Sequence, residues 1–502
     1  MPFPALYYAG AAVPALLLIA AAFLVLRKVP AAEFSAPGVP EYDPGEADRA
    51  AEALAEAIRC RTVSYPDVTR RDFSQWVALR RVLRERYPLS HERMIPEHTA
   101  GLSTLYKWES PEPAGEPILL CAHLDVVPAG GVWNVPPFDG HIGDGFVWGR
   151  GALDCKNVVV CLFSALESLF EGGFVPGRDI YLALGHDEEL GGPEGAKQFA
   201  RYFAQHGIHF SLVLDEGGFI TDGAFPAGKP VADICAAEKG VMDVRLTVTA
   251  PGGHSSHPPE RTAAGLLCEA VCRVGFKLRP ARILPLVYDH FNTIAPLLDG
   301  TLRRYAATPR FYRKKLLARL CADERTAALV RTTVAPTLLT GGVAPNVLPP
   351  SAEANLNIRL LPGDDAEGLV SWINALTRDL GVKAEIVLNE EPSGVSDYKG
   401  AAFSALAGAV SDVFPGIPAV PGLCCGASDA RHYEPFSSAV LRFSPFIVTL
   451  NELAAVHAEN ERVAVASLGA AVRFYRRVIE RFCSPGGEQG NPGVKETGGN
   501  GI

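Results

Sequence analysis

The chain has 502 residues, a formal charge of −9, 48% hydrophobic residues and 21% charged ones. That length exceeds one small core and implies two domains with appendages, and the ordinary composition excludes a disordered or fibrous protein. The acidic balance provides no basic footprint for nucleic acid, so that class of partner is excluded as well.

In chain order, residues 5–26 carry no charge and match the length of a bilayer span. Tyr7 and Tyr8 stand near one end and Arg27-Lys28 closes the other. This predicts a single-pass membrane anchor over 1–28, with aromatic and basic residues at the interfaces. The alternative is a cleaved signal peptide and secretion, although no Lys or Arg precedes the apolar run as a signal's basic region would. The Pro- and Ala-rich stretch 29–46 is expected to be a linker.

Helical periodicity follows at 47–59 and 72–87. Apolar runs at 118–122, 147–148, 180–185 and 211–214 read as buried strands. Between them 157–170 reads as a helix stopped at Gly172-Gly173. Strands alternating with helices predict a mainly parallel α/β sheet. After Lys239-Gly240 the pattern changes to a strand at 241–250, a helix at 261–274, strands at 332–339 and 352–361, a helix at 365–380 and a strand at 382–388. This β-α-β-β-α-β order is ferredoxin-like and predicts an inserted domain over 241–392. A helical insert at 283–330 carries basic clusters, Arg303-Arg304 and Arg313-Lys314-Lys315, expected to be a solvated face. The first domain, 47–240, resumes over 393–483 with a helix at 402–413, a strand at 439–443 and a helix at 464–481. The Gly-rich polar tail 484–502 is expected to be disordered.

The chemistry is concentrated at the ends of the apolar runs: His123 and Asp125, then Asp154, then Asp187-Glu188-Glu189, then Asp215, and much later His457. In an open α/β sheet the carboxyl ends of strands converge on one crevice. Carboxylates gathered there repel unless cations lie among them. Oxygen and imidazole donors without cysteine suit zinc, cobalt or manganese.

The segments HLDVVP at 123–128, GRGALDCKN at 149–157, GHDEELGG at 185–192 and VLDEGG at 213–218 resemble the di-zinc aminoacylase/carboxypeptidase family of metallopeptidases. The likeness runs over 45–482 and is most similar to the branch of Gly-Xaa carboxypeptidases and N-fatty-acyl-amino-acid hydrolases. It implies an exopeptidase-like catalytic domain with an inserted lid and dimerisation domain. Two Zn2+ per subunit, or Co2+ or Mn2+, would then be held by His123 and Asp215 on one side and Glu189 and His457 on the other, with Asp154 shared. Glu188 would be the general base, and Asp125 would orient His123. His254, in Gly253-His254-Ser255-Ser256, would reach across a homodimer to stabilise the oxyanion. Asn346, Arg359 and Gly426 would bind substrate, with Arg359 on its carboxylate. The implied substrate is a small peptide or N-acyl amino acid cleaved beside a free carboxylate.

Two other functions fit parts of the sequence. A serine hydrolase would need Ser255 or Ser428, but neither stands in a Gly-x-Ser-x-Gly elbow. A catalytically inactive, membrane-tethered binding module would share the fold while having lost a ligand or the base, and all are present.

Overall fold

The computed structural model describes residues 42–224 and 226–485. The expected anchor, 1–28, and nearly all of the expected tail lie outside them. Among the described residues no helix is long and apolar enough to cross a membrane. The apolar helix Lys156–Glu171 has 16 residues and is buried in the core, short of the roughly 20 a span needs. The longer Val465–Cys483 carries Arg473, Arg476, Arg477, Glu480 and Arg481. The expectation of a membrane-anchored protein is corrected accordingly. The linker is also shorter than expected, because Asp43 caps a helix that already begins at Pro44.

Ten strands form the main sheet. At its centre Ile180–Gly185, Ile118–His123, Leu212–Asp215 and Val440–Arg442 lie side by side and parallel. Their unbroken apolar runs are explained by burial on both faces. Ile118, Leu120 and Ala122 enter the large core with the helices Pro44–Arg59, Lys156–Glu171 and Val465–Cys483. The alternate residues Leu119 and Cys121 pack on Phe199 and Phe203 of the helix Ala196–His206. An antiparallel hairpin, Ile95–Ala100 and Ser103–Trp108, forms one edge. The sequence pattern did not mark the strands Lys229–Glu238 and Ala419–Cys424, which pair in parallel beyond Val440–Arg442.

A separate four-stranded sheet has the order Thr333–Gly341, Ser351–Leu360, Gly240–Thr249, Lys383–Glu390, antiparallel throughout. Strand alternation sends Met242, Val244, Leu246 and Val248 to one side, where they meet the helices Ala263–Phe276 and Ala366–Thr377. This matches the β-α-β-β-α-β order read from the sequence. The helical insert forms as four α-helices between Pro285 and Ala328. Its Leu286, Phe291, Leu316 and Leu320 join the core of the main sheet rather than that of the lid sheet.

One run expected to feed the main sheet does not. Phe146–Trp148 belongs to a small antiparallel sheet with His141–Gly143 and Arg462–Ala464. The loop after it, which carries Asp154, is therefore fixed by other means. The buried carboxylate of Glu461 accepts from the backbone N–H groups of Gly151 (3.1 Å), Leu153 (2.7 Å) and Asp154 (3.2 Å), and from buried Arg150 at 2.5 Å. Removing one partner of a buried charge pair leaves the other unmet. Glu461→Ala is therefore expected to lower unfolding stability by about 3–5 kcal/mol in urea titrations. Loss of less than about 1 kcal/mol would contradict that role.

Candidate metal centre and cleft

The central strands run the same way, so their carboxyl ends meet at one edge. His123 ends the strand Ile118–His123, and Asp215 ends Leu212–Asp215. Ile180–Gly185 leads through His186 and Asp187 into a 3-10 turn, Glu188–Leu190. Asp125 lies just past its strand, fully buried, and ties two of these pieces together. Its carboxylate accepts from Ser64 Oγ at 2.7 Å and from the Glu188 and Glu189 N–H groups at 3.2 Å each. It also stands 3.4 Å from His123 Nδ1, which is 3.0 Å from the Asp125 carbonyl. Nδ1 therefore carries the proton and Nε2 faces the centre.

There Asp154 Oδ1 is 2.9 Å from His123 Nε2, and its Oδ2 is 2.9 Å from His457 Nε2. Glu188 Oε2 lies 3.9 Å from His123 Nε2, and Glu189 Oε1 lies 3.4 Å from His457 Nε2. His457 is held in a left-handed backbone conformation, φ 62°, as is Asn460 at 61°, whose side chain accepts from Asn134 N at 2.7 Å.

The electrostatics are those of crowded acids. Burial pushes the Glu188 carboxyl well above its usual range, reinforced by Glu189, Asp429 and Glu216 and opposed by His123. Burial likewise raises Glu189, and raises Glu216 with help from Asp154 and Asp215. Asp215 is pushed up to about 6, mainly by burial. At Asp154 burial is outweighed by the hydrogen bonds from His123 and His457, which hold the carboxyl well below its usual range. Hydrogen bonds to Asp154 and Glu189 lift His457 to about 10.

These residues fit divalent metal. His123, Glu188 and Glu189 offer donor atoms within 4.8 Å of one another, as do Asp154, Glu189 and His457. Glu189 Oε1 is buried, with His457 Nε2 beside it at 3.4 Å, a carboxylate oxygen placed to receive a cation. The carboxylate of Asp154 turns one oxygen to His123 and the other to His457. Asp215 is less open, since its oxygens accept from Glu216 N at 2.9 Å and Ala430 N at 2.8 Å.

A cleft of about 1050 Å³ opens from this centre, and Arg359 and Gly426 line it as expected. Arg359 has no hydrogen-bond or ion-pair partner among the described residues. His254 and Asn346 do not line it. They adjoin each other instead at the small strand pair Gly253–His254 and Val347–Leu348, where Asn346 O accepts from Ser255 N at 3.1 Å. His254 Nδ1 there accepts from Ser256 N at 3.1 Å, so within one chain it caps a turn.

Three acids at the site went unassigned in the sequence: Glu216 and Asp429, which line the cleft, and Glu461, which holds the Asp154 loop. Glu216 follows Asp215, Asp429 stands three residues after Gly426 and Glu461 four after His457, and adjacency alone could not say which carboxylate faces inward.

Residues 119–481 match Peptidase family M20/M25/M40. The chain is 33% identical over 446 residues to "Probable carboxypeptidase S-like 2" of Dictyostelium discoideum, covering 86% of this chain and 84% of that protein. It is 33% identical over 448 residues to "N-fatty-acyl-amino acid synthase/hydrolase PM20D1" of Mus musculus, covering 86% and 87%. Among solved structures it resembles the M20 family metallo-carboxypeptidase Sso-CP2 from Sulfolobus solfataricus, with a TM-score of 0.64 at 18% identity over 86% of this chain and 98% of that one. Human carnosine dipeptidase 1 is similar at a TM-score of 0.63 and 14% identity, over 86% and 96%. With the metal-suited centre at its strand ends and the match spanning most of its length, the chain belongs to the M20/M25/M40 peptidase family and is a metallopeptidase-type hydrolase.

Proposed function

We propose that the protein hydrolyses the amide bond of N-acyl amino acids, cleaving beside the free carboxylate and favouring apolar acyl groups. The observation that carries this is Asp154 set between His123 and His457, with Glu188 beside them at the mouth of a cleft holding an unpartnered Arg359. His123 and Asp215 would hold one zinc ion and Glu189 and His457 the other, with Asp154 common to both. When bound, such ions supply Lewis acidity that polarises the scissile carbonyl and eases deprotonation of water.

The chain's own residues do the rest. Glu188, a buried carboxyl with raised proton affinity, takes the proton of the attacking water and delivers it to the leaving amine nitrogen. Arg359 forks onto the substrate carboxylate. Asp125 fixes the His123 ring so that Nε2 points to the metal site. Phe219, Val287, Phe291 and Leu423 line the cleft and favour an apolar acyl chain over a polar peptide. The relative named as an N-fatty-acyl-amino acid synthase/hydrolase is consistent with that substrate class.

The test is hydrolysis of an N-acyl-leucine and its carboxamide by zinc-loaded protein, alongside Glu188→Gln. The carboxylate substrate should be cleaved and the carboxamide much more slowly, and Glu188→Gln should lower kcat by about 10²–10⁴-fold with its zinc retained. Equal cleavage of both substrates would remove Arg359 from its role. Full activity of Glu188→Gln would remove the general base.

We also infer a homodimer through the lid sheet. Its outer strand Thr333–Gly341 is an open edge that leaves Leu338 and Leu339 exposed, as strand-to-strand association requires. His254 would then act in the other subunit's cleft, stabilising charge that develops on the carbonyl oxygen. Mixing and refolding inactive Glu188→Gln with inactive His254→Ala should restore up to about a quarter of activity through hybrid dimers. No recovery despite hybrid formation would exclude the shared site.

A further inference from the structure

Beyond the metal centre the cleft runs along the helix Pro285–Ile294, where Phe219, Val287, Phe291 and Leu423 make its wall apolar. One polar pair interrupts that wall: His290 of the helix and Asp233 of the strand Lys229–Glu238, both lining the cleft. His290 Nδ1 is 3.2 Å from Asp233 Oδ1 and 3.2 Å from the Pro421 carbonyl. Two acceptors converge on this nitrogen, so it carries a proton. Nε2 has no hydrogen-bond partner among the described residues and is not sealed from solvent, and the ring keeps 14% exposure. Burial works against protonation of the ring, but the Asp233 charge and the hydrogen bonds outweigh it and raise the pKa. Nε2 is left free toward the cleft on a ring whose orientation is fixed, to accept from a hydroxyl when the ring is neutral and to donate to one when it is charged.

Pinning the helix to the sheet needs only Nδ1. Placing a polar pair in an apolar wall costs desolvation that a hydrophobic residue would avoid, and the open Nε2 is what the pair adds. We propose that the His290–Asp233 pair is a specificity element selecting acyl groups that carry a hydroxyl part-way along an otherwise apolar chain. The proposal rests on the N-acyl amino acid hydrolase function above, with the acyl chain lying in this arm.

The test uses the full-length zinc-loaded protein and N-acyl-leucines of one chain length, unsubstituted or hydroxylated at successive carbons. At one position kcat/KM should exceed that of the plain chain by about tenfold, the effect of one well-made hydrogen bond. His290→Phe should abolish or invert that ratio, and His290→Gln, which keeps an N–H donor, should retain part of it. If His290→Phe fails to fold, the ratio is read from His290→Gln and Asp233→Asn, both of which should reduce it. No hydroxyl position outrunning the plain chain, or a preference untouched by these variants, overturns the proposal while leaving the hydrolase function standing. Failure to cleave even the plain N-acyl-leucine overturns both.

Discussion

Asp154 presents one carboxylate oxygen to His123 Nε2 and the other to His457 Nε2, each at 2.9 Å, and the neighbouring elements are built to keep it there. Its loop belongs to no strand of the main sheet, so its place is set by Glu461 accepting three backbone N–H groups beneath it. The two histidines come from opposite ends of the chain. His123 ends a central strand, whereas His457 is turned inward by a left-handed backbone. Around them five acids, Glu188, Glu189, Asp215, Glu216 and Asp429, are held buried or nearly so with raised proton affinity. Such crowding is unfavourable for the bare protein and favourable once positive charge is shared among the carboxylates.

A second buried network connects this centre to the lid sheet. Glu238 is fully buried and accepts from Arg442 Nε at 2.9 Å, Arg431 Nε at 2.8 Å and Ser428 Oγ at 3.0 Å. Arg431 also reaches Glu390, at the end of a lid strand, at 2.6 Å. The same short segment supplies Ala430 N to Asp215. Lid position and the orientation of Asp215 are thus set by one set of charge-assisted hydrogen bonds, which are shorter and stronger than neutral ones. Lys239 anchors the adjoining junction, bonding the carbonyls of Ala328 at 3.1 Å and Arg331 at 3.0 Å at the end of the helical insert.

Much of this was legible in the sequence because parallel strands buried on both faces leave continuous apolar runs, and their carboxyl ends are marked by His123, Glu188-Glu189 and Asp215. The lid was legible through its alternating strands. The strands Lys229–Glu238 and Ala419–Cys424 were not, because Pro230, Pro421 and Gly422 interrupt the pattern that marks a strand. The run at 147–148 was read as part of the main sheet, since two residues cannot say which sheet they join. Arg359 and Gly426 meet at the cleft as expected from family resemblance. His254 and Asn346 lie away from it in the single chain, and local sequence carries no information on contacts between subunits. The apolar N-terminal stretch suggested an anchor on length and charge alone, and no described helix supports a span.

On the proposed function, Asp154 would be the carboxylate common to two metal ions. The most direct measurement is the zinc content per chain, by elemental mass spectrometry after dialysis against zinc and gel filtration, for the wild type and Asp154→Asn. The account predicts two zinc ions per wild-type chain and fewer than one in Asp154→Asn, with the variant's circular dichroism unchanged. A wild type that holds no zinc, or a folded Asp154→Asn that still holds two ions, would contradict it.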